Sequence, residues 1–265
     1  MTPITLGIIS IVTYLASTAL LSKDLIKNKS SHISTAPAWL AVASHFTYTF
    51  TGFQLQGSFN FSIFNTSSVI SSLVAFLLLL ATINKPVEKL GLAIFPIAIV
   101  TLSLSLLFPD KELGLQIHSW QMNTHVLSSI IAFSLLNIAA LQAILLAIQE
   151  QQLRKRPPKK IIQTLPPLQT MESLLFQMLG TGLLFLSLSL ISGFVFIEDL
   201  FTQHLVHKTV LSIVAWITFS SLLAGRIKYG WRGKTAVKWT LAGFILLLLA
   251  YFGSKLVLEL ILQRT

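Results

Sequence analysis

Six histidines are the residues of this chain that are best suited to chemistry, because an imidazole binds metal ions and exchanges protons near neutral pH. The chain has no cysteine, which excludes thiolate metal ligands and disulfides within it. Its sequence also contains no phosphate-binding loop, no G-x-S-x-G elbow and no H-E-x-x-H pair. The histidines are His32, His45, His118, His125, His204 and His207.

Two of these histidines each begin an apolar run that follows a polar segment. His125 and His207 are therefore predicted at equivalent depth on two helices. If those helices are neighbours, the two imidazoles can face a planar cofactor from opposite sides, as bis-histidine ligation of haem iron requires. Glu198 and Asp199 are near enough in sequence to accept the second ring N–H and fix a tautomer. The alternative is an ordinary histidine at the membrane interface, and these positions leave both open.

His45 differs from the other histidines because it lies inside an apolar run, AWLAVASHFTYTF. An ionisable group within a membrane is costly, so its presence indicates a functional residue that faces the interior of a helical bundle. The alternative is a neutral imidazole that is hydrogen-bonded to a neighbouring helix. Asn137, Gln142 and Gln177 also lie in apolar runs, and hydrogen bonds between helices are the favoured interpretation of these amides.

The elements that must position these side chains are long apolar runs separated by short gaps. The chain is 54% hydrophobic and 11% charged, with a mean hydropathy of +0.77, which excludes a soluble domain of 265 residues. Each run is close to the roughly 20 residues that an α-helix needs to cross a bilayer. We therefore predict an all-α, polytopic integral membrane bundle of eight transmembrane helices. The predicted spans are 3–22, 37–55, 65–83, 91–108, 125–149, 173–197, 207–225 and 239–262.

The basic residues predict how these helices are oriented. Fifteen of the 19 Lys and Arg residues fall in alternate gaps between the runs. The positive-inside rule places these four basic loops in the cytoplasm and both termini outside. Because the net charge of +10 lies beside the spans on one side, it favours topology signals and contacts with anionic membrane lipids, not with nucleic acid. The basic gaps are Lys23 to Lys29, Lys85 to Lys89, Arg154 to Lys160 and Arg226 to Lys238.

Proline, tryptophan and glycine predict further details of the bundle. Pro96 lies inside the fourth span and is predicted to kink it. The tryptophans that are typical of interfacial belts are Trp39, Trp120, Trp231 and Trp239. The glycines that are predicted to permit close approach of helices are Gly180, Gly182, Gly193 and Gly243.

Six stretches carry a resemblance to a known family. They are GSFNFSIFNTSSVIS (57–71), KPVEKLGLAIFP (85–96), THVLSSIIAFSLLNIAALQAILL (124–146), LPPLQTMESLLFQMLGTGLLFL (165–186), HKTVLSIVAWITFSSLLAGRIKYGWRGKTA (207–236) and YFGSKLVLEL (251–260). In order, spacing and loop identity they resemble the CcsA/HemX/YpjD-like cytochrome c assembly family, and its YpjD-type inner-membrane branch most closely. We accordingly divide the chain into residues 1–36, the first transmembrane helix with its basic loop, and residues 37–265, a CcsA-like membrane domain.

The resemblance implies that the chain handles haem. His125 matches the external histidine of the family and His45 a histidine of an early span, so both are implied haem contacts. The chain departs from the family between the sixth and seventh spans, where EDLFTQHLVHK replaces a tryptophan-rich loop, and around Ala224 to Arg226, where a later histidine is missing. We infer that His207 replaces the lost histidines. These departures put ligase activity in doubt more than haem binding, and we expect no independent catalytic activity.

The predicted function is haem handling of the cytochrome c assembly type in a bacterial cytoplasmic (inner) membrane. Haem b would lie near the outer face, held by His125 and His207, with His45 deeper. The implied partners are haem, cytochrome c assembly proteins or apocytochrome c, and membrane lipids. The alternative is a non-catalytic, HemX-like regulator or accessory subunit, whose loops Arg154–Lys160 and Arg226–Lys238 dock a cytoplasmic partner. A transporter is disfavoured because the spans carry few charges.

Overall fold

Helices account for nearly all of the chain that the structure describes. The computed structural model describes residues 2–27, 32–56, 62–108, 120–154, 167–196 and 206–253, and no strand occurs within these ranges. Two short turns of 3₁₀-helix, His32–Thr35 and Glu88–Leu90, and one π-helical turn, Leu249–Gly253, occur beside the α-helices. The α-helices are α1 (Pro3–Lys27), α2 (Ala36–Gln56), α3 (Ile63–Asn84), α4 (Gly91–Leu107), α5 (Trp120–Arg154), α6 (Leu168–Phe196), α7 (Val206–Tyr229) and α8 (Lys234–Leu248).

All of these described helices except α2 are long and apolar enough to cross a membrane, which makes seven candidate spans. α2 is 21 residues long, but it carries an imidazole and several hydroxyl and amide groups among its apolar residues. These polar groups lower its hydropathy without shortening it. The prediction of an all-α, multi-pass membrane protein is confirmed, whereas an eighth crossing by α2 stays a prediction.

α5 is longer than the span predicted for it. It has 35 residues, so at about 1.5 Å per residue it is about 50 Å long, against a hydrocarbon core of roughly 30 Å. At its C-terminus, Nη2 of Arg154 lies 2.8 Å from Oε1 of Glu150, one turn earlier on the same helix. Charged residues of this kind belong in water or among headgroups, so this end of α5 extends beyond the hydrocarbon.

The chain divides into two compact units, and the first of them contains α1 to α4. α1 packs against α2 and α4, and α3 packs against the same two helices, so the four helices close into a ring. Tyr14 of α1, Leu79 of α3 and Phe95 of α4 are fully buried in its interior. Pro96 follows Phe95 inside α4 and leaves the carbonyl of Leu92 without its usual amide donor.

The second unit contains α5 to α8 and has the same pattern of neighbours. α5 packs against α6 and α8, and α7 packs against those two helices as well. Phe133 of α5 is the centre of an aromatic cluster, with its ring centroid 5.6 Å from that of Phe244 and 4.8 Å from that of Tyr251. Aromatic side chains therefore contribute to the interior of this unit, as Tyr14 and Phe95 do in the first.

Close approach of helices in the second unit depends on glycine. A Cβ atom at Gly182 would lie 2.8 Å from Cγ of Leu136, and one at Gly243 would lie 2.6 Å from Cε1 of Phe219. The expectation of tight helix contact at these two glycines is confirmed. It is wrong for Gly180, because a Cβ there would meet no atom of the described residues within 4 Å.

Replacing Gly182 with alanine is expected to destabilise the protein by about 1–3 kcal/mol, because the added methyl group overpacks the contact between α5 and α6. Gly180→Ala is the matched control on the same helix, and it is expected to leave stability unchanged or slightly higher because alanine favours a helix. The midpoint of thermal unfolding in mild detergent measures both effects. Equal midpoints for the two variants would contradict this account of the interface.

Candidate functional site

His125 is held by α6 through one of its two ring nitrogens. It lies in the second turn of α5 and is half-buried. Its Nδ1 is 2.9 Å from the backbone carbonyl oxygen of Ser189, and a carbonyl only accepts hydrogen bonds, so Nδ1 is the donor. Nε2 makes no hydrogen bond to any residue in the described ranges. The remaining nitrogen therefore has a lone pair that is available to a metal ion.

His207 is placed differently from His125. It lies in the first turn of α7 and is exposed. Since α5 and α7 each pack mainly against α6 and α8, the two histidines are on helices that lie across the ring from each other. No interaction joins the two imidazoles in the part of the chain that the structure describes, so the bis-histidine pairing stays a prediction. Outside the described residues lie His118, His204, Glu198 and Asp199.

The described residues contain no group of three or more histidine, aspartate or glutamate side chains that could hold a metal ion. A bare zinc or copper ion usually takes three or four protein ligands. Haem iron already has four nitrogen ligands from its porphyrin and takes only one or two from the protein. The described residues therefore provide no complete ligand set for a bare zinc or copper ion.

His45 lies at the centre of the first unit, where each of the four helices contributes a side chain. It is fully buried, and its Nε2 is 2.8 Å from Oγ of Ser68 on α3. The ring of Tyr14 on α1 meets it edge to face at 6.0 Å and also lies 5.5 Å from the ring of Phe95 on α4. The interpretation of an imidazole that is hydrogen-bonded to a neighbouring helix is confirmed, and a role in binding is untested.

Further hydrogen bonds join α2, α3 and α4 one helical turn to either side of His45. Toward one end, the hydroxyl of Tyr48 lies 3.1 Å from Oγ of Ser105, which donates over 2.8 Å to Oδ1 of Asn65. Toward the other end, Oγ of Ser71 lies 2.7 Å from Oγ1 of Thr101. On α2, His45 and Tyr48 are thus bonded to neighbouring helices. The serine and threonine hydroxyls of α2 donate to carbonyls of the same helix, so these polar groups also have partners within the protein, as groups that lie in lipid require.

Two polar atoms in this centre are exceptions. The hydroxyl of Tyr14 and Nδ1 of His45 are buried and have no hydrogen-bond partner among the described residues. A buried polar atom without a partner costs about 1–3 kcal/mol. The centre of the first unit is therefore tightly packed, but these two atoms make no hydrogen bond to the described residues.

Comparison with known proteins gives these histidines a context. The family described as "Cytochrome C assembly protein" matches residues 30–262 of the chain. The chain belongs to the cytochrome c assembly family. The matched range includes α2 to α8 and the histidines on α2, α5 and α7. Of the described α-helices, α1 lies before it.

Individual relatives support this assignment. Inner membrane protein YpjD of Escherichia coli (strain K12) is 32% identical over 204 residues, which are 76% of this chain and 76% of the relative. An uncharacterized 28.8 kDa protein of Azospirillum brasilense is 29% identical over 143 residues, 53% of each chain. Cytochrome c biogenesis protein CcsA of Chlamydomonas reinhardtii is 27% identical over 143 residues, 53% of this chain and 39% of the relative. No solved structure matches the chain significantly. The likeness to an inner membrane protein and the apolar helices together support a multi-pass inner membrane protein of the CcsA-like type.

This family member also has an ordered cluster where α6 begins and α7 ends, which the sequence did not reveal. Nη1 of Arg226 lies 2.9 Å from Oε1 of Glu172, and the guanidinium group lies 4.7 Å from the ring centroid of Phe176. A Cβ at Gly225 would lie 2.3 Å from Cε3 of Trp231, whose ring also packs 5.4 Å from Trp239. Trp231 therefore packs against other residues of the second unit, which the interpretation as an interfacial tryptophan does not include.

The amides predicted to join helices have different environments. Nε2 of Gln142 on α5 donates over 3.1 Å to the backbone carbonyl of Met171 on α6, which confirms the interpretation for this residue. Gln177 is on an exposed face of α6, where its Nε2 lies 3.5 Å from Oγ of Ser173 on the same helix. Asn137 is half-buried on α5. An amide on a buried helix face thus bonds to a neighbouring helix, as Gln142 does, whereas the amide of Gln177 on an exposed face lies near a hydroxyl of its own helix.

Tyr14→Phe is expected to leave stability unchanged or to raise it by up to about 1 kcal/mol, because the hydroxyl that is lost has no partner in the described residues. Ser68→Ala is expected to cost about 1–3 kcal/mol, because Nε2 of His45 then loses its partner. Thermal unfolding in mild detergent measures both variants. Similar losses of stability in the two would show that the hydrogen bonds of this centre are assigned wrongly.

Proposed function

We propose that this protein binds haem b near the outer membrane face through Nε2 of His125 and presents it for cytochrome c assembly. The observation that carries the proposal is the hydrogen bond from Nδ1 of His125 to the carbonyl of Ser189. A metal-ligating histidine usually donates its other ring N–H to a carbonyl or carboxylate, which orients the ring and raises its basicity as a ligand. Membership of the cytochrome c assembly family supports haem as the group that is bound.

The residues around His125 fit a haem. One imidazole is anchored through Nδ1 and has Nε2 free, which is what an axial ligand needs. Bound haem would supply an iron centre and the vinyl groups through which a cytochrome c is formed. His125 would hold the iron and orient the porphyrin, so the contribution of this chain is binding and positioning. Because the chain has no cysteine, the thiols of the reaction must come from a partner such as apocytochrome c.

His207 and His45 have separate roles in this proposal. His207 is exposed at the start of α7, where an approaching haem can reach it, and we propose it as the second axial ligand. His45 is a deeper contact. Its Nε2 is hydrogen-bonded to Ser68, and its Nδ1 is buried, so haem would reach it only if the side chains packed around the imidazole moved aside.

The proposed topology has eight crossings, with both termini outside and the four basic loops in the cytoplasm. The described lysine and arginine residues support this topology, because they lie at helix ends that border every second connection between the helices. Lys27 ends α1, Lys85 follows α3, Arg154 ends α5, and Arg226 lies in the last turn of α7. Division of the chain at residues 36 and 37 into a first helix and a CcsA-like domain is part of the same proposal.

The alternative function is a non-catalytic regulator or accessory subunit that docks a partner in the cytoplasm. One observation favours it. The α7–α8 connection is ordered by the Arg226–Glu172 pair and the Trp231 contact, and it presents several exposed cations around that cluster. These cations are Lys228, Arg232, Lys234 and Lys238.

The first test is an absorption spectrum of the protein in mild detergent, as purified and after addition of hemin, oxidised and then reduced. A Soret band with sharp reduced α and β bands is expected for low-spin bis-histidine haem. His125→Ala and His207→Ala are each expected to lose these bands, because each removes an axial ligand. His32→Ala, in the segment between the first two predicted spans, is the matched histidine control and is expected to keep them.

Other results would contradict parts of this proposal. A wild-type protein that takes up no hemin contradicts haem binding and favours the regulator, whose activity should then depend on Lys228 and Arg232. Bands that survive in His207→Ala but disappear in His125→Ala contradict His207 as a ligand and leave His125 in place.

The topology can be tested cleanly because the chain has no cysteine of its own. Ser30→Cys and Ser58→Cys stand on either side of α2. If α2 crosses the membrane, an impermeant maleimide added to intact spheroplasts is expected to label Ser58→Cys at once and Ser30→Cys only after permeabilisation. Lys155→Cys and Gln203→Cys form the corresponding inside and outside pair around α6. Labelling of both α2 positions from the same side rules out the eighth crossing.

A further inference from the structure

Among the described residues, two groups lie within hydrogen-bond distance of Nδ1 of His125, and both accept a hydrogen bond from it. The carbonyl oxygen of Ser189 lies 2.9 Å from Nδ1, and Oγ of Ser192 lies 3.3 Å from it. The Ser192 hydroxyl donates its own hydrogen to the same Ser189 carbonyl over 2.9 Å, so it presents a lone pair to the ring nitrogen. A neutral imidazole carries one N–H, and here only Nδ1–H is stabilised.

The ring reaches these acceptors because α6 has no side chain at Gly193. A Cβ there would lie 3.0 Å from Cε1 and 3.3 Å from Nδ1 of His125, which is tighter than an ordinary van der Waals contact. Gly193 is itself buried. Any larger residue would push the imidazole away from the Ser189 carbonyl or force the two helices apart.

A second hydroxyl pair fixes the spacing of the helices at this level. Oγ of Ser129 donates over 2.7 Å to the backbone carbonyl of His125 and lies 2.5 Å from Oγ of Ser189. Because Ser129 has only one hydroxyl hydrogen, Ser189 donates to Ser129. Both serines are buried. The hydroxyls of Ser129 and Ser189 thus link the backbone carbonyl of His125 on α5 to α6, one turn from the imidazole.

We propose that Gly193 and Ser192 are positioning residues that hold His125 in its Nδ1–H tautomer and make Nε2 its only coordinating nitrogen. The arrangement acts on a haem only through His125, so its effect on haem rests on the proposed function. The tautomer itself is a property of the protein without haem. Residues that support a metal ligand in this way typically contribute 10- to 100-fold, as an order of magnitude, to metal affinity.

The test is ¹⁵N NMR of the haem-free protein in detergent, labelled with ¹⁵N-histidine, at about pH 8, where an ordinary imidazole is neutral. The spectrum of His125→Ala identifies the His125 signals by difference. We expect a single tautomer with the proton on Nδ1. A proton on Nε2, or an even mixture of tautomers, would overturn the proposal.

Variants of α6 then separate positioning from folding. Gly193→Ala is expected to produce a tautomer mixture and to weaken hemin binding by roughly 10-fold or more. Gly180→Ala makes the same change on the same helix in open space and should alter neither readout. If Gly193→Ala does not fold, Ser192→Ala tests the same contact and should give a smaller loss, which Ser192→Thr restores by keeping a hydroxyl. Unchanged tautomer and affinity in both Gly193→Ala and Ser192→Ala would overturn the assignment.

The two proposals fail in different ways. An Nδ1–H tautomer in a protein that binds no hemin supports the positioning of His125 and contradicts haem binding. Hemin bands in a protein whose His125 carries its proton on Nε2 support haem binding and contradict the positioning residues.

Discussion

In lipid, a polar side chain has no partner except another part of the protein, and this constraint organises both units. Within the described residues, hydroxyls on the helices mostly donate to a carbonyl one turn back or to a group on a neighbouring helix. Bonds of the second kind fix how the helices face each other. Ser10 of α1 donates to the carbonyl of Ala41 on α2, and Ser129 and Ser189 join α5 to α6. The positions of the histidines follow from these contacts.

The same constraint orients both His45 and His125 by a hydrogen bond, but the two rings differ in burial. His45 of α2 contacts Ser68 of α3 and Tyr14 of α1, and the nitrogen that is not bonded to Ser68 is buried without a partner among the described residues. His125 is half-buried and bonded through one nitrogen to a backbone carbonyl, and its other nitrogen makes no hydrogen bond to the described residues. A binding histidine needs an oriented ring together with an accessible nitrogen. The His125 ring is oriented and only half-buried, whereas the His45 ring is oriented and fully buried.

The sequence was sufficient for the helices but not for their contacts. Bilayer thickness dictates apolar runs of a certain length, so all eight described α-helices could be predicted from hydropathy. Hydroxyls and an imidazole lower the hydropathy of α2, so its crossing alone stays a prediction among the described helices. The partner of His125 could not be predicted, because it is a backbone carbonyl 64 residues away and any residue type could supply it. Gly193 was the one feature of the sequence that pointed to this contact, since a glycine within a span indicates that a neighbouring helix packs closely there. Gly180 shows why that signal is weak, because it has the same identity and no neighbour within 4 Å among the described residues.

The region around Gly225 bears on which end of the second unit can hold a cofactor. A histidine that the family resemblance implies in this region is absent, and the structure shows what fills the space. The Trp231 ring lies so close to Gly225 that a Cβ would meet it at 2.3 Å, and Arg226 beside it is engaged by Glu172. Restoring a histidine at Gly225 would require the displacement of an indole that packs against Trp239. Aromatic packing and an ion pair thus occupy this end, while His125, near the opposite end of α5, makes no hydrogen bond through Nε2 to the described residues. If the chain binds a metal cofactor within this unit, the oriented imidazole of His125 favours that end.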